Sequence, residues 1–272
     1  MTMLMEQMSL DEIKDLQLEI LRKVADFCES QNLVYCLGYG TLLGAVRHKG
    51  YIPWDDDIDI IMPRKDYNRF LESFNGSVSD LAVMAPELDL SYYAPYANVY
   101  DERTILEEDV VSHGKLSLGV KIDIFPFDYV PDDYNLYHEF WTRSRRNTSI
   151  LHVKNRKLSF CHGRDRLILA IRKLQYVFIS VRRIQRRQLE LLNDKRYSSN
   201  GPLMDVIAST ERHETVISEN DLFPATKLPF EGIEFRVPRD YDKMLTVVYG
   251  DYMQLPPESE RVVRHCFKAY RK

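Results

Sequence analysis

Apolar positions recur at helical intervals near the start of the chain. Ile13, Leu16, Ile20, Val24 and Phe27 fall three or four residues apart, which gathers them on one face of an α-helix. Ser9 followed by Glu12 has capping-box spacing, so a helix is predicted over about 10–29, ending near Gln31-Asn32. Leu33 to Leu37 reads as a short buried strand. Gly38 and Gly40 permit a tight turn, after which Thr41 opens a short helix to about Arg47. Asp57 to Met62 alternates and then becomes wholly apolar, as in a strand buried against a sheet with one end at a site; Pro63 stops it. Arg64 to Phe74 reads as a helix, and Leu81 to Met84 and Ala97 to Leu106 as strands. In 120–124, Val120, Ile122 and Ile124 alternate with Lys121 and Asp123, a clear strand whose polar side chains share the other face.

From Pro131 onward helical patterns dominate, including 164–192. Prolines at 224, 229, 238, 256 and 257 then break the chain around a helix near Tyr241 to Tyr249. No repeat or low-complexity tract interrupts this order. The expectation is an α/β fold: a mixed-sheet core, a basic helical subregion over about 131–200, and an irregular C-terminal closure, in a single domain spanning 1–272.

Composition adds one asymmetry. The 272 residues carry a formal net charge of −4, which gives no global reason to expect nucleic-acid binding. Between Arg143 and Arg196, however, 16 Lys and Arg face only Asp165, Glu190 and Asp194, so that segment carries +13 and the remainder −17. Cys28, Cys36, Cys161 and Cys266 show no CxxC spacing, which suggests neither a zinc site nor a disulfide framework. The N-terminus lacks a basic start before an apolar run, and no stretch approaches the roughly 20 apolar residues that span a bilayer. These features predict a cytoplasmic protein, with room for a peripheral place at the inner face of the cell membrane.

The candidate chemistry lies between Gly38 and Asp59. An extended chain puts Asp55, Asp57 and Asp59 on one side, neighbours about 6.6 Å apart, close enough to converge on a divalent cation, with Asp56 turned away. Without a cation each like-charge pair at about 4 Å costs on the order of 1 kcal/mol in water and several times that near a protein surface. Trp54 on one side and Ile58, Ile60, Ile61 and Met62 on the other argue against a solvated acidic loop. Asp123 in its apolar strand is a candidate third carboxylate, as metal ligand or as base. The turn Gly38-Tyr39-Gly40-Thr41 can offer backbone N–H groups to an anion, yet it is neither a P-loop nor a dinucleotide fingerprint. A Gly-x-Gly-Thr turn, one short helix and a strand bearing Asp-x-Asp is the order used by the nucleotidyltransferase fold.

The segment GTLLGAVRHKGYIPWDDDIDIIMPRKDYNRF at 40–70 closely resembles the signature of the LicD family, bacterial phosphotransferases that include phosphorylcholine transferases, with fukutin-related proteins as distant relatives. VKIDIFPFDYVPDD at 120–133 and the weaker LPPESERVVRHCFKAY at 255–270 extend the resemblance. It implies a nucleotidyltransferase-like core, Mg²⁺ or Mn²⁺, and transfer of a phospho-alcohol, most of all phosphocholine, from a CDP-alcohol donor. The implied acceptor is a sugar hydroxyl on a glycan or lipid-linked glycan, such as a teichoic acid or lipopolysaccharide precursor. On this likeness Asp57, Asp59 and Asp123 are the metal and catalytic aspartates. Gly40 and Thr41 lie near the donor phosphates, Arg47, His48 and Lys49 follow in the family's usual place, Trp54 flanks the metal site, and His265 and Lys268 close over it.

Three other functions share these features: a nucleotidyltransferase using an NTP, a glycosyltransferase using a nucleotide-sugar, and a non-catalytic membrane or glycan adapter, against which the intact aspartates argue. Tyr92, Tyr93, Tyr96 and Tyr100 offer faces to a quaternary ammonium or simply pack a core. In the basic segment, Leu167, Ile168, Ile171, Leu174, Phe178 and Val181 form an apolar stripe beside Arg172, Lys173, Arg182, Arg183, Arg186 and Arg187. That pattern suits a helix lying on an anionic membrane, a helix packed on the core with a solvated basic face, or contact with a phosphate-rich acceptor. No aromatic-rich basic sheet accompanies the charge, so RNA is not expected as a partner.

Overall fold

The computed structural model describes residues 6–112, 118–197, 203–204, 216–262 and 267–272. A two-residue strand β1 (Glu6–Gln7) leads into helix α1 (Leu10–Ser30). Ser9 Oγ accepts from the Glu12 N–H at 3.2 Å and Glu12 Oε2 accepts from the Ser9 N–H at 2.8 Å, the reciprocal cap expected from the spacing. The apolar face of α1 is buried through Ile13, Ile20, Leu21 and Val24. Strand β2 (Cys36–Leu37), helix α2 (Tyr39–Arg47), strand β3 (Asp59–Pro63) and helix α3 (Arg64–Ser73) follow. Helices α1 and α3 meet through Phe27, whose ring lies 5.7 Å from that of Phe70 and 5.1 Å from that of Phe74.

Next come β4 (Leu81–Met84), β5 (Ala97–Asp101), β6 (Thr104–Glu108) and β7 (Lys121–Tyr129). The stretch expected as one strand over 97–106 is therefore two strands. Asp101 makes the break: its Oδ1 accepts from the Arg103 N–H at 2.8 Å and its carbonyl from Thr104 Oγ1 at 3.2 Å. Such a side-chain-closed turn needs neither Gly nor Pro. The helical region holds α4 (Tyr134–Asn155), α5 (Gly163–Gln175) and α6 (Val181–Leu192); the rest comprises β8 (Leu203–Met204), β9 (Val216–Ile217), α7 (Glu219–Leu222), β10 (Thr226–Phe230), β11 (Ile233–Val237), α8 (Tyr241–Tyr249) and β12 (Phe267–Arg271).

The main sheet runs β2-β3-β7-β5-β4, extended from β7 by β8 and β9. Its β3–β7 pair is parallel and its other ladders are antiparallel, so the molecule has the mixed α/β architecture expected. Arg64 at the start of α3 ties the far end of β7, donating from Nε and Nη2 to Asp128 at 2.7 and 2.9 Å and from Nη1 to Glu87 at 2.8 Å. The C-terminal closure carries more strand than its prolines suggested. Strands β10 and β11 form a hairpin turning on Glu231 (φ 49°) and Gly232 (φ 77°), the paired left-handed geometry that favours glycine. Strand β12 joins β1 and β6 in a second, antiparallel sheet.

Candidate active site

The parallel β3–β7 register sets Asp59 beside Asp123, and the antiparallel β7–β5 register sets Asn98 beside Asp123. Residues opposite one another on neighbouring strands share a face and lie about 5 Å apart, so three chemically active side chains form a row across the sheet. All three are buried. Asn98 donates a very short hydrogen bond from Nδ2 to Asp123 Oδ1, and Lys121 Nζ reaches the same oxygen at 2.8 Å. Both bonds converge on Oδ1. Asn98 is itself fixed, its Oδ1 accepting from the hydroxyls of Tyr92 and Tyr93. Burial opposes the charge of Lys121, but Asp123 and Glu108 outweigh it and hold the ammonium protonated.

Asp59 is in the opposite situation. Burial, then the charges of Asp57, Asp123 and Asp55, push its carboxyl well above the ordinary aspartate range. The neighbouring aspartates do not follow the strand alternation expected of them. Strand β3 begins at Asp59, so Asp55 to Asp57 lie in irregular chain after the turn at Pro53-Trp54. There each of Asp55, Asp56 and Asp57 offers a carboxylate oxygen within 4.8 Å of the others. Asp56 is thus drawn into the cluster rather than turned away, and its backbone carbonyl accepts from Gln17 Nε2 of α1 at 3.0 Å.

The glycine turn abuts this cluster. A Cβ on Gly40 would lie 2.6 Å from Asp55 Oδ2, and one on Gly38 would lie 2.7 Å from Ile61 Cγ2; only glycine lets the start of α2 approach β3 and the carboxylates so closely. Between them Tyr39 holds φ at 41°, a conformation that costs a bulky residue energy and is typically kept where a site demands it. Thr41 sits deeper than a phosphate contact would require. Its buried Oγ1 accepts from the Asp59 N–H at 2.8 Å, so Thr41 positions Asp59.

The other expected residues divide by place. Gly40, Arg47, Trp54 and Asp55 share a depression of about 650 Å³ with Tyr249 and Tyr252. Arg47 closes its far side, donating from Nη1 to the carbonyls of Tyr252 at 2.7 Å and Gln254 at 3.4 Å. The Trp54 ring meets His48 in a T-shaped contact with centroids 6.1 Å apart and has the Arg261 guanidinium over it at 5.7 Å. Desolvation, then Arg47, lowers the His48 pKa, so this ring is neutral at pH 7. Lys49 is exposed, with Nζ on the Val46 carbonyl at 3.2 Å, and is not brought to the carboxylates. Lys268 is exposed on β12 opposite Glu107; its neighbour Phe267 is the residue that reaches the site. His265 lies outside the described residues.

On the other side of the cluster, Asp56, Asp57, Asp123, Lys121 and Phe267 line a cavity of about 270 Å³. This cavity shares Tyr93, Tyr96, Val110 and Val111 with a cleft of about 850 Å³ that extends to α4 and α5. Asp55 therefore borders one hollow and Asp56, Asp57 and Asp123 the other, with Asp59 lining neither. Asn98, Lys121 as Asp123's partner, and Tyr249 and Tyr252 are site residues that carry no local signal in the sequence. A lone Asn in a strand carries no chemical signal until the register sets it beside Asp123.

Residues 32–159 match the family model described as LicD/FKTN/FKRP, nucleotidyltransferase domain. The lipopolysaccharide cholinephosphotransferase LicD of Haemophilus influenzae is 30% identical over 285 aligned residues, covering 98% of this chain and 99% of that protein. The chain belongs to the LicD family. An uncharacterised protein of Rickettsia prowazekii is 28% identical over 126 residues, 45% of this chain and 43% of its own length, and one of Rickettsia typhi is 40% identical over 52 residues, 19% and 17%. The span matched by the LicD model includes Gly38, Gly40, Asp55 to Asp59, Asn98, Lys121 and Asp123. End-to-end agreement with a LicD transferase places this chain among transferases.

Proposed function

We propose that this chain transfers a phospho-alcohol from a CDP-activated donor to a sugar hydroxyl of a glycan, with phosphocholine as the group and a lipopolysaccharide-type saccharide as the acceptor. The observation that carries the proposal is the pairing of Asp59 with Asp123 across parallel strands, with Asp57 beside them and Gly40 against Asp55. The name of the Haemophilus relative supports the choice of phosphocholine and lipopolysaccharide.

The carboxylate oxygens that lie within 4.8 Å of one another are those of Asp55, Asp56 and Asp57, and Asp59 feels the charge of Asp57 and Asp55; this donor set fits a hard divalent cation. It is all oxygen, and Mg²⁺ typically binds through one or two carboxylates together with substrate phosphates. Burial first, and then the repulsion of Asp57, Asp123 and Asp55, raises the Asp59 pKa, and that repulsion is what a cation would relieve. Asp57 and Asp59 would hold Mg²⁺ or Mn²⁺, which when bound would neutralise charge on the donor diphosphate. Lys121 and Asn98 occupy Asp123 Oδ1; its Oδ2 would offer a further oxygen to the cation or take the proton of the acceptor hydroxyl. As the acceptor oxygen bonds to phosphorus, the bond from phosphorus to CMP breaks. Gly40, Arg47 and Trp54 favour the 650 Å³ side for the donor, and Tyr249 and Tyr252 with Asp251 and Glu260 there suit a cationic alcohol. The acceptor then takes the Tyr93 and Tyr96 side.

Asp57→Asn and Asp59→Asn are each expected to lower kcat by at least about a hundredfold and to abolish the rise in melting temperature that Mg²⁺ gives the wild type. Turnover and a metal-dependent Tm left unchanged in both variants would refute the metal site.

A further inference from the structure

Helix α5 has two unlike faces. Asp165, Ile168, Leu169 and Arg172, spaced at three and four residues, line the 850 Å³ cleft, and Leu169 is the one residue of α5 that is fully buried. Leu167, Ile171 and Leu174 lie two positions beyond Asp165, Leu169 and Arg172, hence about 200° around the helix, on the face turned from the cleft. They are 63%, 49% and 70% exposed, and the turn that follows raises Val177 to 56% and Phe178 to 93%. Five large apolar side chains in sequence thus meet water at a place held to the core by hydrogen bonds: Lys173 Nζ to the Lys154 carbonyl at 2.7 Å and Lys154 Nζ to the Tyr176 carbonyl at 3.0 Å.

The charge beside this ridge is one-signed. Helix α6 starts two residues after the turn and buries Ile184, Gln185, Gln188 and Leu191, so Arg182, Arg183, Arg186 and Arg187 share its outer face. Arg182 reaches Asp89 at 3.8 Å; among the described residues Arg183, Arg186 and Arg187 form no ion pair. Arg164 and Arg166 flank the other end of the ridge and are exposed. An apolar ridge bordered by cations matches the headgroup and acyl boundary of an anionic bilayer. A second copy of this chain would face the same arginines with its own.

We infer that Leu167, Ile171, Leu174, Val177 and Phe178 insert into an anionic phospholipid surface, with the α6 arginines on its headgroups. The opposite face of α5 then walls a cleft at the level of the membrane, leading past Tyr93 and Tyr96 to Asp123. Such a path suits a saccharide carried on a membrane lipid. This choice of acceptor rests on the transferase function proposed above; the docking does not.

The test is flotation of the full chain with phosphatidylglycerol-containing vesicles and with pure phosphatidylcholine vesicles. Wild type is expected to partition to the anionic vesicles about tenfold or more above the neutral ones. Leu174→Ser with Phe178→Ser, and separately Arg182→Gln with Arg183→Gln, Arg186→Gln and Arg187→Gln, should each lose most of that partition while keeping the wild-type melting curve. These side chains are mostly exposed, so loss of binding is not loss of fold. Equal partition to both vesicle types, binding unaffected by both variants, or a wild-type dimer dispersed by Phe178→Ser would each overturn the inference. Vesicle binding by a chain that releases no CMP would leave docking in place and remove the transferase function; CMP release without vesicle binding would do the reverse.

Discussion

Single atoms decide how tightly the site is built. The Thr41 hydroxyl accepts from the buried Asp59 N–H, so Thr41→Val leaves that donor unsatisfied. Its expected cost is about 1–3 kcal/mol, read by urea unfolding, together with a fall in turnover that Thr41→Ser restores. If Thr41→Val were as stable and active as wild type, the positioning role would be wrong. Gly40→Ala forces a Cβ onto Asp55 Oδ2 and must displace the carboxylate or the first turn of α2. Loss of activity with only a small change in melting temperature is expected, because the atom that moves belongs to the site and not to the core.

Elements hold these atoms in place, and the sequence disclosed them unevenly. Helix α1 was legible to within a residue at each end, since its cap and apolar period agree. Strand β3 begins two residues later than alternation suggested, because three adjacent aspartates after a Pro-Trp turn cluster rather than alternate. Asp57, Asp59 and Asp123 were visible as candidates, but nothing local told that β3 and β7 run parallel in the register that pairs the last two. Asn98 and Lys121 became readable only through that register. The β10–β11 hairpin carried a signal in Glu231-Gly232 between alternating runs that the surrounding prolines obscured. It has a use: the Glu231 N–H donates to the Lys49 carbonyl at 3.0 Å, and its Oε1 accepts from the Tyr51 N–H at 3.0 Å. Glu231→Ala should loosen the loop that carries Trp54 and Asp55, lowering kcat/KM on the order of tenfold. Steady-state kinetics indistinguishable from wild type would show the latch to be idle.

Over the whole molecule, charge and apolar surface are sorted by location. The acidic part holds the carboxylate cluster, and the +13 segment supplies the second half of α4 together with α5 and α6. None of the described helices is long and apolar enough to cross a membrane. The stripe on α5, which sequence alone left between core packing and a surface role, is largely exposed. Two hollows border the carboxylate cluster, one walled by Gly40, Arg47 and Trp54 and one by Tyr93 and Tyr96, as a reaction with separate donor and acceptor requires. Nucleotidyl and glycosyl transfer could use the same aspartates, so the product that departs from the donor tests the central claim most directly. The protein is incubated with Mg²⁺, a lipopolysaccharide acceptor, and CDP-choline, an NTP or a nucleotide-sugar in turn. Release of CMP from CDP-choline, dependent on the acceptor and absent in Asp59→Asn, is the predicted result. Pyrophosphate from the NTP or a nucleoside diphosphate from the nucleotide-sugar, with no CMP from CDP-choline, would contradict it.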